Sequence, residues 1–233
     1  SQLAKPELAL EQFGQARRLL AQHDDRLWQA VVDLYESHLY LQLRDYDLAE
    51  QMAQQAYTAF HKNALTRRMA QSAMVLGQIA FHKGQLARAA AHYADAKAWT
   101  SVYGLPVVDY QYHFGLGRVY QRQGKTQAAY THYRQAITAI EQAQSKIGAE
   151  DYKIAFLSDK LAVYDEFIDF CLRQHEPAAY REAFETLERA KVMTLRHLQP
   201  PQPVSNTRPP GNGGISQQIN QLKRELNRYY TQF

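Results

Sequence analysis

Apolar residues recur along this chain at the three- and four-residue spacings of amphipathic helices, and the pattern itself repeats every forty residues. The segment GQLARAAAHYADA at 84–96 aligns with GKTQAAYTHYRQA at 124–136, keeping Gly, Ala, Tyr and Ala in place. The same frame makes Ala9, Ala49, Ala89 and Ala129 equivalent, then Phe13, Ala53, Tyr93 and Tyr133, then Ala16, Ala56, Ala96 and Ala136. Upstream of these segments runs a second amphipathic pattern: MVLGQIAFHKG at 74–84, FGLGRVYQRQG at 114–124 and the less regular LYESHLYLQLR at 34–44. Each unit is therefore predicted to be a helix pair.

The residue types suit close helix packing. A glycine at Gly77 or Gly117 admits the second helix of its unit, Ala89 and Ala129 supply the matching small surface, and Tyr93 and Tyr133 fill the gap to the next unit. Gly84 and Gly124 fall where a left-handed turn residue is needed. A final pair is predicted from 150–174 and from PAAYREAFETLERAK, with Pro177 opening the last helix and Ala183, Leu187 and Ala190 as its small-large-small positions. Beyond it, QPPQPVSNTRPPGNGG at 199–214 has the composition of a linker. Residues 215–233 resume a helical stripe through Ile215, Ile219, Leu222, Leu226 and Tyr229. The domain reading is a helical repeat domain at 1–198, a Pro/Gly-rich linker at 199–214 and an amphipathic helix at 215–233 leading towards a further region.

The repeat resembles the tetratricopeptide repeat, through Leu76, Gly77, Gly84, Ala89, Tyr93 and Ala96, and again through Leu116, Gly117, Tyr120, Gly124, Ala129, Tyr133 and Ala136. That resemblance implies an all-α, right-handed α-solenoid with a concave groove. A forty-residue unit implies helices about a turn longer than in the commonest thirty-four-residue repeats. The pair at 30–60 departs from the pattern at Ser37, Arg44 and Ala53. Residues 140–198 also resemble the closing repeat segment of bacterial CHAT proteins, which carry a caspase-like peptidase domain after their repeats. The residues concerned are Phe156, Leu157, Asp159, Lys160, Val163, Tyr164, Ile168, Ala183, Phe184, Glu188, Arg189, Ala190, Lys191 and Leu195, whereas Met193 and Thr194 depart from expectation. The resemblance implies a regulatory recognition region whose catalytic histidine and cysteine would lie beyond Phe233, so no catalytic residue is carried over. A peptide-sensing repeat region of a bacterial transcription regulator is the alternative.

Composition narrows the chemistry. The 27 basic residues exceed the 23 acidic ones by only four, and they are scattered in pairs such as Arg17 with Arg18 and Arg67 with Arg68, as on a solvated surface rather than a nucleic-acid face. A single cysteine, Cys171, excludes an internal disulfide and fits a reducing, cytoplasmic setting. No apolar run reaches the roughly 18 residues of a membrane span. The chain opens without Met and closes inside a helical pattern, which suggests a piece of something longer. Cys171 and His175 are four apart and would share a helical face, but Cys171 lies on the apolar side of FIDFCL and is expected to be core. The equivalent positions His92 and His132 invite a metal reading, yet a solvated pair is expected, with no metal and no cofactor. GLG at 115–117 is expected to serve helix packing. Tyr110, Tyr112, Tyr229 and Tyr230 are the tyrosines the repeat leaves for recognition.

The groove carries the positional argument. If Ala73, Gly77 and Ala80 face the second helix, then 3.6-residue periodicity turns Leu34, His38 and Leu41, Met74, Gln78 and Phe81, and Phe114, Arg118 and Gln121 to the concave face. Such a surface suits a protein or peptide ligand, the parent chain's own C-terminal domain included, rather than nucleic acid or membrane. The fragment is expected to be catalytically silent.

Overall fold

The computed structural model describes residues 4–23, 25–100, 106–145 and 160–195, and every regular element among them is an α-helix. In chain order these are α1 (Ala4–Gln22), α2 (Arg26–Gln42), α3 (Tyr46–Lys62), α4 (Thr66–His82), α5 (Leu86–Thr100), α6 (Pro106–Arg122), α7 (Thr126–Ser145), α8 (Leu161–Leu172) and α9 (Pro177–Leu195). The linker at 199–214, the stripe at 215–233, and Phe156, Leu157 and Asp159 lie outside the described residues.

Chain contacts divide the molecule into two compact units, residues 1–143 and 144–233. In the first, consecutive helices pack in pairs, α2 on α3 and α4 on α5, and the first helices of successive pairs, α2, α4 and α6, also touch. Two 17-residue helices and two short turns make up the forty-residue period. The fold is the helical solenoid of tetratricopeptide-repeat type that the periodicity predicts.

The three helix pairs α2–α3, α4–α5 and α6–α7 close on the same turn. The N–H groups of Asp45, Gln85 and Lys125 donate to the carbonyls of Tyr40, Ala80 and Tyr120 at 2.9, 2.8 and 2.9 Å. This 6→1 bond requires a left-handed residue just before it, and that residue is Arg44 (φ 62°), Gly84 (φ 75°) or Gly124 (φ 71°). The departure at Arg44 is thus one of residue type with the geometry kept. Asp45 then caps α3, its carboxylate accepting from Leu48 N–H at 3.2 Å.

The glycine argument holds in atomic detail. A Cβ on Gly77 would stand 2.5 Å from the Tyr93 ring, and so would one on Gly115 of the next unit. Tyr93 is fully buried between them. A Cβ on Gly117 would likewise stand 3.0 Å from the Tyr133 ring. The GLG segment is therefore helix packing, with each glycine facing a different tyrosine. Charged residues tie the first elements together: Arg17 of α1 pairs with Asp33 and Glu36 of α2 at 2.6 and 2.7 Å. Lys83 and Arg88 reach back to Glu50 of α3 at 2.7 and 2.9 Å.

In the second unit α8 packs on α9 around Val163, Tyr164, Phe167, Phe170, Cys171 and Ala183. Pro177 opens α9 as expected. One register position differs from the sequence reading. Leu187 is 39% exposed, and Thr186 is the fully buried residue between Ala183 and Ala190.

Candidate functional site

The first helices of three successive units line a cavity of about 390 Å³. Its floor is apolar, from Leu34 on α2, Met74 and Val75 on α4 and Val108 on α6, all buried. Its walls are polar: His38, Gln71, Gln78 and Gln111, with Arg67 and Arg68 on α4 and Tyr35 on α2 completing the lining. His38 is solvent-accessible yet flanked by protein, and the resulting desolvation pulls its pKa below the ordinary histidine value. At neutral pH it is an uncharged hydrogen-bonding group. No acidic side chain lines this cavity among the described residues.

Of the nine residues expected on the concave face, Leu34, His38, Met74 and Gln78 meet here. Phe81, Phe114, Arg118 and Gln121 assemble differently. The Arg118 guanidinium lies over the buried Phe81 ring at 4.3 Å and 5.6 Å from the Phe114 ring, and Arg122 covers Phe81 at 4.4 Å. Gln121 accepts a hydrogen bond from the Tyr133 hydroxyl at 2.6 Å. Phe114 lies 6.1 Å from the Tyr133 ring. Leu41 is half-buried against the core between the first units.

The lining residues missed in the sequence were nonetheless in phase. Arg67, Gln71, Met74 and Gln78 fall at spacings of four, three and four on α4, so continuing the stripe backwards from Met74 reaches the arginines. Sequence alone does not single them out, because Arg67 and Arg68 read as part of a scattered surface charge.

Other candidate chemistry resolves into structure. His132 does not meet His92: its partner is His113 on α6, with Nδ1 atoms 3.0 Å apart, enclosed by Tyr112 and Tyr120. Burial holds the His113 pKa down at about 4, helped by His132 and Lys97 and opposed by Asp109. The forty-residue equivalence put His92 and His132 on the same side of different units, whereas contact within a unit runs between its first and second helices. Tyr112 is half-buried in this cluster, 4.8 Å from His113, and Tyr110 is buried. Tyr229 and Tyr230 lie outside the described residues.

Cys171 and His175 do not share a helical face, because α8 ends at Leu172 and His175 sits in the following turn at φ 57°. The Cys171 thiol is buried and its pKa is pushed up to about 12 by desolvation and then by Glu182, so it is no nucleophile. His175 instead contacts the Tyr180 hydroxyl at 3.2 Å. Among the described residues no group of three or more His, Cys, Asp or Glu side chains is arranged to hold a metal, and no helix is long and apolar enough to cross a membrane.

Comparison with known proteins agrees with the repeat geometry. No curated protein matches the chain at a significant level. The family model of the tetratricopeptide repeat matches residues 110–142, the stretch that holds most of α6 and α7, and this chain therefore carries a tetratricopeptide repeat there.

Proposed function

We propose that the chain is a recognition scaffold that binds a protein segment or peptide in the groove formed by α2, α4 and α6. Tetratricopeptide repeats are in general protein-interaction modules, which fits the match at 110–142. The observation that carries the reading is the cavity across three first helices, with an apolar floor and hydrogen-bonding walls. Apolar floor residues give a side chain somewhere to anchor. Gln71, Gln78, Gln111 and neutral His38 can satisfy an extended backbone above it.

Selection of binders from a random peptide display library, followed by affinity measurement on purified chain, tests this. Gln78→Trp and Gln111→Trp would plug the cavity, and they are expected to weaken selected peptides at least tenfold. Gln54→Trp, on the exposed side of a second helix, is expected to leave them unchanged. Equal affinity for plugged and unplugged chains, with unchanged helical melting, would place recognition elsewhere.

The resemblance of 140–198 to the closing repeats of CHAT proteins supports a finer reading, in which the scaffold positions or restrains a caspase-like domain of the same parent. A histidine and cysteine pair in an α/β domain encoded downstream is what that reading requires. A helix-turn-helix domain in the parent gene would instead support the transcription-regulator alternative.

A further inference from the structure

Four basic side chains of the first unit are paired with carboxylates. Arg17 meets Asp33 and Glu36, Lys83 meets Asp47 and Glu50, Arg88 meets Glu50, and Lys97 meets Asp109. Arg67 and Arg68 differ. Among the described residues neither forms an ion pair, and Arg68 Nη1 donates only to the neutral Gln71 Oε1, at 3.1 Å. They also stand between two cavities. On one side is the groove cavity of about 390 Å³. On the other is a cavity of about 310 Å³ formed by Leu65, Trp99 and Thr100 beside the same two arginines. Neither cavity has an acidic lining residue among those described.

Two unneutralised guanidinium groups flanked by two apolar recesses define a ligand by complementarity. We infer that the occupant is an acidic internal peptide segment: one or two carboxylates on Arg67 and Arg68, bracketed by bulky apolar side chains, one over Met74 and Leu34 and the other against Trp99 and Leu65. The inference rests on the peptide-groove reading above and adds the charge and bipartite form of the ligand. Guanidinium groups bind carboxylates through paired, charge-assisted hydrogen bonds. Trp99 is 37% exposed and Leu65 is 38% exposed, so both offer apolar area still to be covered. A nucleic-acid strand fits less well, because two arginines provide few phosphate contacts and the recesses on either side are built for side chains.

The test is a panel of fluorescein-labelled, C-terminally amidated peptides, so that no terminal carboxylate contributes. Their centre is Glu-Glu, Gln-Gln or Lys-Lys, and their flanks are Leu, Phe or Ser, measured by anisotropy against the whole chain. Glu-centred peptides with Leu or Phe on both sides are expected to bind at least tenfold more tightly than Gln- or Lys-centred ones. Replacing either apolar flank with Ser is expected to weaken them at least fivefold. Arg67→Glu with Arg68→Glu, the first exposed and the second half-buried, should reverse the preference towards Lys-centred peptides.

Indifference to the central charge, or affinity unchanged in the Arg67→Glu/Arg68→Glu chain, overturns the inference. If such charge-indifferent binding is still lost in Gln78→Trp, the peptide groove survives and only its acidic preference falls. Charge-dependent binding that Gln78→Trp leaves intact overturns both the bipartite form and the groove reading. A single-stranded 12-nucleotide probe that outcompetes every peptide at physiological salt also overturns it.

Discussion

At the scale of the residue, the repeat is most informative where one backbone geometry is filled by different side chains. Arg44, Gly84 and Gly124 occupy the same turn at φ 62°, 75° and 71°, and only the arginine has a Cβ that crowds the left-handed conformation. Arg44→Gly removes that strain while giving the unfolded chain more freedom. The net expectation is a gain of about 0.5–1 kcal/mol. Gly84→Ala is expected to lose about 1 kcal/mol for the same reason, since a Cβ there meets no neighbour and only the backbone objects. Urea denaturation of both variants measures the pair, and an Arg44→Gly chain no more stable than the parent would show that Arg44 contributes contacts that offset its strain. The turn glycines were legible in the sequence because glycine has few other reasons to recur at a helix end. Left-handed Ala64 and His175 were not, since neither residue type signals the conformation.

At the scale of the element, one aromatic ring fixes the spacing of two helix pairs. Tyr93 is gripped by Gly77 in its own unit and Gly115 in the next. Where the repeat places Ala53 instead of tyrosine, the position equivalent to Gly77 is Ser37, buried with its hydroxyl donating to the Leu34 carbonyl at 2.7 Å. The departures at Ser37 and Ala53 are thus one compensated change, a smaller residue on one helix making room on the other. Gly77→Ala is expected to destabilise by about 1–3 kcal/mol, because the buried ring has no space to retreat. In a Tyr93→Ala background the same change should cost nothing, and the added helix propensity should even help. Gly14→Ala, whose Cβ meets nothing within 4 Å, serves as the control and should stabilise α1 slightly. Additive losses in the double mutant would show that the glycine serves something other than the tyrosine. Helix pairing was readable because small residues at a fixed period have few alternative explanations. The register of α9 was not, because Thr186 and Leu187 differ by one position and hydrophobicity favoured the one the fold leaves exposed.

At the scale of the whole molecule, histidines give the fold a common response to acid. His38, His82, His92, His113 and His132 all have pKa values below 6.5 in the folded chain, with desolvation the largest cause for each. The sequence showed these histidines without their burial, since burial comes from neighbours dozens of residues away. A depressed folded pKa means that the unfolded chain takes up protons first as pH falls. Stability is therefore fully present above about pH 6.5 and is lost progressively below it, down to about pH 4 for His113. Glu50, held below the ordinary carboxylate range by its hydrogen bond from Lys83 and then from Arg88, extends the loss at lower pH. Asp33 acts in the opposite sense, since burial raises its pKa despite Arg17, so protonating it favours the folded state. The His113–His132 pair isolates the effect: with Nδ1 atoms 3.0 Å apart, one ring donates and the other accepts, and protonating both would set two cations against each other. Denaturant titrations from pH 7.5 to 4.5 should show stability falling on acidification. His113→Gln should flatten that slope by up to about one proton taken up on unfolding between pH 6 and 4.5. An unchanged slope would mean that His113 is protonated in the folded chain and that the α6–α7 contact tolerates the charge.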